Sequence, residues 1–465
     1  MIMSILSLPG ELLVEIFSTV IEDLGDAPAE PVVLILASLC KSLRELLLAS
    51  PTVWRRIRVR TFADLRGAHL FIERSKACPL ELSVHFDIFD HIPHEFIQAL
   101  DLPRLCKLSV SGPFSNDIAR FVQAISDTPT PLLRDVSLLA RTQSNCGNAH
   151  VPLLSGASDA LRTLTMRGCV RCLAPFPHLT RLNISNLLCN YADFRDLING
   201  SPSLTTLILG NLLDHLDPDS DNEAAVAGPM FEASALKYLA VGFLNTYLVS
   251  GDRPLLGFLS MPNLEYLEVV GSRADYGEFS GKSFPALRTL CLRDLDFPTC
   301  DVALYRSFSN ITRLELSNVQ GMELLTVPEE KGAPLWPDLQ DLVCWLPDEE
   351  SCSWLDGLLA SRARLTLHVP LKRKNNFPPA GGRYDIRFLS DQPSGLIGPE
   401  DFASMEWEDD DSSNSEDFFS DEIDLFENDE SFDYEPEPDE DFDEEEAYYE
   451  DEDDDWDGVW FGDGI

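Results

Sequence analysis

No hydrophobic run in this chain is long enough to cross a bilayer. The longest candidate, Val32 to Cys40, is well short of the roughly 20 residues a spanning helix needs. The opening Met1-Ile2-Met3-Ser4-Ile5-Leu6 carries no basic residue and runs directly toward Glu11, so no secretory signal is expected. Eleven cysteines, an odd number without framework spacing, point away from a disulfide-stapled domain and toward a reducing compartment, cytosol or nucleus. Positive charge is scarce: 35 Lys and Arg face 79 Asp and Glu, a formal net charge of −44, and no basic stripe occurs. Neither a nucleic-acid nor a membrane partner is expected. The shortage is uneven, because residues 388–465 hold 34 acidic residues and no Lys or Arg. Residues 1–387 are left with 45 acidic and 35 basic residues, a net of −10, as in an ordinary globular body.

Chemistry-bearing patterns are also missing. No glycine-rich phosphate loop follows a strand, Ser and Cys never occur in a nucleophile-elbow context, and the paired carboxylates lie in the acidic tail. Cys169-x-x-Cys172, with His178 and Cys189 nearby, is the one cluster with metal-like spacing, but it lacks a second pair and Cys169 already fills a repeat position. No catalytic residue, no metal site and no cofactor is expected, and the chain reads as a non-enzyme.

What is there begins with Ser7-Leu8-Pro9-Gly10-Glu11-Leu12-Leu13-Val14-Glu15-Ile16-Phe17. Pro9 suits a first helical turn, Ser7 is a candidate N-cap, and Glu11 lies where the helix dipole favours an anion. Leu8, Leu12, Leu13, Ile16, Phe17 and Val20 recur at steps of three and four and form one apolar stripe. Two further helices are predicted, Val32 to Leu39 and Leu43 to Ala49, followed by Ser50-Pro51-Thr52-Val53-Trp54-Arg55-Arg56-Ile57. A unit of about 50 residues is marginal without a staple or a partner.

The order Leu8-Pro9-x-Glu11-Leu12-Leu13-x-x-Ile16-Phe17, then Leu39-Cys40-Lys41-x-Leu43-Arg44-x-Leu46, then Ser50-Pro51-x-x-Trp54-Arg55-x-Ile57 resembles an F-box over residues 4–58. The resemblance implies docking on a Skp-family adaptor and, through it, a cullin, within an SCF-type ubiquitin ligase. Carried over residue by residue, the adaptor-facing positions are Leu8, Pro9, Leu12, Leu13, Ile16 and Phe17, with Leu39, Leu43 and Trp54 completing the apolar surface.

Cys78 to Phe86 reads as a strand with Leu80, Leu82, Val84 and Phe86 on one face, whereas Arg58 to Arg74 alternates only loosely. A ten-fold L-x-x-L-x-L repeat follows, beginning at Leu105, Leu133, Leu161, Leu179, Leu204, Leu236, Leu264, Leu287, Ile311 and Leu339. Seven members have Pro two positions earlier, as in Phe176-Pro177-His178-Leu179. Each unit buries its apolar triplet only against its neighbours, a gain of roughly 5–8 kcal/mol before chain entropy, so such units fold as stacked arrays. Residues 59–389 therefore resemble a degenerate leucine-rich-repeat solenoid, an α/β horseshoe behind the F-box as in many fungal F-box proteins. Asn186, Asn211 and Asn318 fall one position before the usual ladder site, so no regular asparagine ladder is expected.

By the period of two, the third and fifth repeat positions face away from the triplets. The third-position column is Lys107, Asp135, Thr163, Arg181, Thr206, Tyr238, Tyr266, Thr289, Arg313 and Asp341. Target contact is expected at Arg181, Tyr238, Tyr266 and Arg313, joined by Glu268, Glu315 and Trp345, since Tyr, Trp and Arg dominate interface energies. Arg364 to Val369 reads as a strand closing the open end, Lys372-Arg373-Lys374 as a solvated loop, and residues 390–465 as a disordered acidic tail. The expected function is that of a non-catalytic substrate receptor. The alternative is a ligase-independent scaffold, or an acidic chaperone-like protein that binds basic nuclear proteins through its tail.

Overall fold

A buried residue, then Pro, then any residue, then the first Leu of a repeat: this tetrad forms the tight turn that launches most strands. The computed structural model of the chain describes residues 8–23, 29–85, 94–126, 128–142, 159–168, 176–185, 191–210, 231–242, 259–271, 283–294, 308–319, 336–345, 365–370, 385–389 and 395–397. Within them the N–H of the first Leu returns to the carbonyl three residues back, as in Leu179 to Phe176 (3.0 Å), Leu204 to Ser201 (3.0 Å), Leu264 to Met261 (3.3 Å), Leu287 to Phe284 (3.2 Å) and Leu339 to Trp336 (3.1 Å). Pro177, Pro202, Pro262, Pro285 and Pro337 occupy the second turn position, where a fixed φ near −65° is already correct. The residues ahead of the prolines are buried and stack between repeats, and Phe284 packs on Phe308 with ring centroids 5.5 Å apart.

The strands are β1 (Arg56–Val59), β2 (Leu80–His85), β3 (Leu105–Phe114), β4 (Asp135–Thr142), β5 (Thr163–Arg167), β6 (Arg181–Ser185), β7 (Thr206–Gly210), β8 (Phe231–Glu232), β9 (Tyr238–Gly242), β10 (Leu259–Ser260), β11 (Tyr266–Val270), β12 (Thr289–Arg293), β13 (Arg313–Ser317), β14 (Asp341–Trp345), β15 (Thr366–Pro370) and β16 (Asp385–Leu389). All but β8 and β10, which pair with each other, join one open parallel sheet in chain order. Its register sets the ten third positions from Lys107 to Asp341 side by side in a single row. The fourth and sixth positions, such as Leu182 and Ile184 or Leu267 and Val269, are buried on the opposite face.

Strands leave the sheet through left-handed residues. Gly168 (φ 60°), Gly271 (φ 118°), Asp294 (φ 51°) and Asn318 (φ 48°) each follow the last strand residue. Only Gly, Asn and Asp enter this region at low cost. The Asn318 side-chain N–H donates to Asp294 Oδ1 (2.8 Å), so the early Asn is a turn residue that links to the preceding repeat.

Helices α1 (Gly10–Asp23), α2 (Ala29–Leu39), α3 (Lys41–Ala49), α4 (Phe62–Arg74), α5 (His94–Ala99), α6 (Ser115–Ser126) and α7 (Tyr191–Asn199) complete the described secondary structure, with 3₁₀ turns at Pro51–Trp54 and Leu102–Arg104. Pro9 offers its carbonyl to the N–H groups of Leu12 and Leu13, and Ser7 lies outside the described residues. The helical unit is not separate from the sheet. Trp54 is fully buried, its Nε1 donates to the Leu47 carbonyl (2.8 Å), its ring meets Phe71 of α4 edge-on at 4.9 Å, and the Arg74 guanidinium lies 4.7 Å from it. Arg56 donates both to the Ile21 carbonyl of α1 (3.0 Å) and to Glu81 of β2 (3.0 Å). The core is accordingly continuous from Leu13 to Val369.

Three boundaries differ from the sequence reading. The loosely alternating stretch Arg58 to Arg74 contains α4, opened by a Thr61/Asp64 capping box, and the expected boundary at 58/59 cuts β1. The sheet ends with β16, one strand beyond Arg364 to Val369. Gly395–Ile397 pack on the sheet, so the body continues past residue 390, and the compact unit that contains them runs from Met1 to Glu406.

Candidate functional site

The N-terminal helices bury one apolar row and expose another. Leu13 (4% exposed), Phe17 (6%) and Ile21 face Val33, Leu43, Leu47, Val53 and Trp54 inside the core. One residue around the helix, Leu8, Leu12 (46%), Ile16 (39%) and Val20 stay open, as do Leu34, Ile35, Leu39 (63%) and Leu48 on the neighbouring helices. The nine positions assigned from the resemblance therefore divide by burial. Leu8, Pro9, Leu12, Ile16 and Leu39 are at the surface, whereas Leu13, Phe17, Leu43 and Trp54 are interior and unavailable to a partner. The physical reason is the 100° turn per residue: a stripe two residues wide spans an inner and an outer edge of α1.

The second surface is the sheet face that carries the third, fifth and seventh repeat positions. Register places Tyr238 beside Tyr266, with ring centroids 6.2 Å apart, and Tyr238 is the more open (39%). Arg181 lies on the same row, half-buried and separated from Tyr238 by Thr206. Arg313 Nε donates to Glu315 Oε1 (2.7 Å), and Trp345 sits half-buried with an indole N–H that has no hydrogen-bond partner among the described residues. Glu268 departs from the expectation: it is fully buried (0%), and no target reaches it in this state.

Glu268 is covered by the chain itself. The Leu396 N–H donates to Glu268 Oε2 (2.7 Å), which also accepts the Tyr266 hydroxyl (2.9 Å). Across the next strand Arg293 faces Glu268, Nε to Oε1 at 3.3 Å, and its Nη1 donates to the Ile397 carbonyl (3.2 Å). The Ile397 side chain is buried among Ile208, Ala240 and Val270, with Leu396 packed against the same group. Arg293, Cys291 and Gly395–Ile397 were not named from the sequence. A legible signal existed in the fifth column, which is Ser109, Ser137, Thr165 and Asn183 on β3 to β6 and becomes Ile208 and Ala240 on β7 and β9.

Burial dominates the electrostatics of this cluster. It pushes the Cys291 thiol up to about 12, assisted by the Glu268 carboxylate and opposed by Arg293. Burial also raises the Tyr266 phenol, helped by Cys291 and Glu268. For Arg293 burial works downward, and neighbouring Cys291 and Glu268 more than compensate, so the guanidinium is held charged. A thiol and a phenol held protonated this firmly are poor nucleophiles and bases at neutral pH. The arrangement instead offers one side-chain acceptor, Glu268, and one side-chain donor, Arg293, to main-chain groups.

Cys169, Cys172 and Cys189 lie outside the described residues, His178 is exposed, and no group of three or more potential metal ligands gathers among the described residues. No described helix is long and apolar enough to cross a membrane. No protein-family model matches the chain, and no curated protein matches it.

Proposed function

We propose that this chain is a non-catalytic substrate-recognition subunit of an SCF-type ubiquitin ligase. In this reading the N-terminal helices are an F-box that docks on a Skp-family adaptor, and the parallel sheet is a degenerate leucine-rich repeat that binds the target. One observation carries it: the outer face of the terminal helices is apolar. A unit that caps a repeat array requires a polar outer face for solubility. Leu12, Ile16, Leu34, Ile35 and Leu39 supply the opposite, and Leu12, Ile16 and Leu39 are among the residues from which the F-box resemblance draws its partner surface. The inner row anchors the helices to the sheet, so target and ligase are held on one body, which raises their effective concentration.

The direct test is mixing of the purified full chain with a Skp-family adaptor. A stoichiometric complex on size exclusion is the expected result. Separate elution at micromolar concentrations of both proteins removes the ligase reading.

A further inference from the structure

We infer that the centre of the sheet face is a peptide-binding site for a short bent segment of the form glycine, aliphatic, isoleucine, and that Gly395-Leu396-Ile397 occupies it as the chain's own copy of the ligand. This deepens the target-binding reading above and rests on it.

The site recognises main chain more than side chain. Glu268 accepts the Leu396 N–H and Arg293 donates to the Ile397 carbonyl, so a donor and an acceptor of one short bent stretch are met by two charged groups on adjacent strands. The Tyr266 hydroxyl fixes the carboxylate that does this. Side-chain selection comes at two places. A Cβ at residue 395 would overlap the Arg293 guanidinium and approach Glu268 Oε1 at 2.5 Å, so any other residue at the first position requires the ion-paired Arg293 and Glu268 side chains to shift. Ile397 fills a small apolar recess formed by Ile208, Ala240 and Val270, which sets the third position.

A permanent core plug has no need of charge. Burying two ions costs desolvation that an apolar pair avoids, and such pairs are often replaced by hydrophobic residues without loss of stability. The pair here stays useful if the segment leaves, because water then hydrates both groups, whereas an all-apolar recess would be left exposed. Glu268 Oε1 and Arg293 Nε face each other as an ion pair at 3.3 Å, and Arg293 Nη2 has no hydrogen-bond partner among the described residues. The segment thus gives each ion a single hydrogen bond, as suits an occupant that a target can displace. The target chemistry follows: a protein that presents an accessible Gly-aliphatic-Ile stretch with free backbone groups.

The test uses the full chain, native and Ile397→Asp, and a labelled peptide Pro-Ser-Gly-Leu-Ile-Gly-Pro read by fluorescence anisotropy. If the internal segment occupies the site about 99% of the time, a competitor's apparent affinity falls roughly 100-fold. Ile397→Asp should therefore bind the peptide at least about tenfold more tightly than the native chain. The same peptide with Val in place of Gly should bind neither. A folded Ile397→Asp protein that does not bind the peptide, or binds the Val version equally well, overturns the proposal. Should that variant fail to fold, amide exchange at Leu396 in the native chain decides: excess peptide should accelerate it, and unchanged exchange overturns the proposal. The adaptor surface shares no residue with this site, so failure here leaves adaptor docking standing, and failure there leaves the peptide result readable.

Discussion

Leu12 and Leu13 are adjacent in sequence and opposite in consequence, which makes α1 the sharpest place to perturb the molecule. Leu13 is 4% exposed and Phe17 6%, so truncation of either to Ala removes a fully packed side chain. The expected losses are about 2–5 kcal/mol for Leu13→Ala and about 3–5 kcal/mol for Phe17→Ala. Leu12 and Ile16 are 46% and 39% exposed, so Asp at both positions forfeits only part of each transfer energy, about 1 kcal/mol per site. Leu12 also lies in the first turn of the helix, where a new carboxylate gains from the dipole. Adaptor binding should respond in reverse order. Two carboxylates placed in an apolar interface without partners cost several kcal/mol, which at 1.4 kcal/mol per decade is a loss of roughly 1,000-fold or more. Urea unfolding monitored by circular dichroism, run beside capture on an immobilised Skp-family adaptor, reads both quantities. Leu12→Asp/Ile16→Asp should lower its unfolding midpoint less than Leu13→Ala does and lose capture, whereas Leu13→Ala should lose more stability and, while folded, keep capture. Undiminished capture by the Asp double variant, or a midpoint lowered as far as that of Leu13→Ala, would refute the assignment of faces.

Three further outcomes follow from the interior. Trp54→Ala should cost about 3–5 kcal/mol, and helices and sheet should still melt in one transition, because Trp54 packs on Phe71 across the expected domain boundary; a separate early transition of the helices in calorimetry would contradict this. Glu268→Leu alone leaves Arg293 buried and unpaired and should destabilise by about 3–5 kcal/mol, while Glu268→Leu/Arg293→Leu should recover most of the loss in a denaturant titration; equal destabilisation by the pair would show that the ions do not act together. Cys291, raised from 9.0 to about 12, keeps its proton in the folded state while the unfolded chain releases it. Its contribution is therefore complete below pH 9 and lost as pH rises toward 12, so Cys291→Ala should flatten alkaline destabilisation, and iodoacetamide should modify the half-buried Cys40 and Cys78 before Cys291.

The sheet was legible in the sequence because its signals are local. Pro two residues before a Leu fixes the launching turn, and the L-x-x-L-x-L spacing fixes which side chains face inward, so the row from Lys107 to Asp341 has its expected register. The cover over that face was not legible. Leu396 meets Glu268 across 128 residues and Ile397 meets Arg293 across 104, and three residues inside an acidic stretch carry no periodicity that would announce them. A Glu at an alternate strand position reads as solvent-facing, and only the covering segment makes Glu268 interior. The F-box resemblance assigns Leu13, Phe17, Leu43 and Trp54 to a partner, and neither a motif nor a two-residue-wide stripe says which apolar side chains the rest of the chain will bury. Helix α4 is a different case, since Thr61 and Asp64 stood at capping-box spacing ahead of Leu65, Ala68, Phe71 and Ile72, a helical period that loose alternation obscured.

A parallel sheet has two unpaired edges, and the two ends of this one are finished in different ways. At β16 the edge strand carries an exposed Arg387, and charge on an edge discourages pairing with another chain. At β1 the edge is met by helices: α2 and α4 both pack against it, tied through Trp54 and Arg56. A helical cap built only for that purpose would turn charged residues outward, and Glu11, Glu15, Lys41 and Glu45 show that the chain does so on part of the surface. Between them the outward row is Leu8, Leu12, Ile16 and Val20. Sheet termination does not require that row, and the proposed adaptor is the partner that would cover it. The helix repeat lets one short segment carry two tasks: the inner row sets stability through contact with Val33, Leu47 and Trp54, and in the proposed function the outer row is left for association. Because few atoms are shared between the rows, changes in one should leave the other almost untouched.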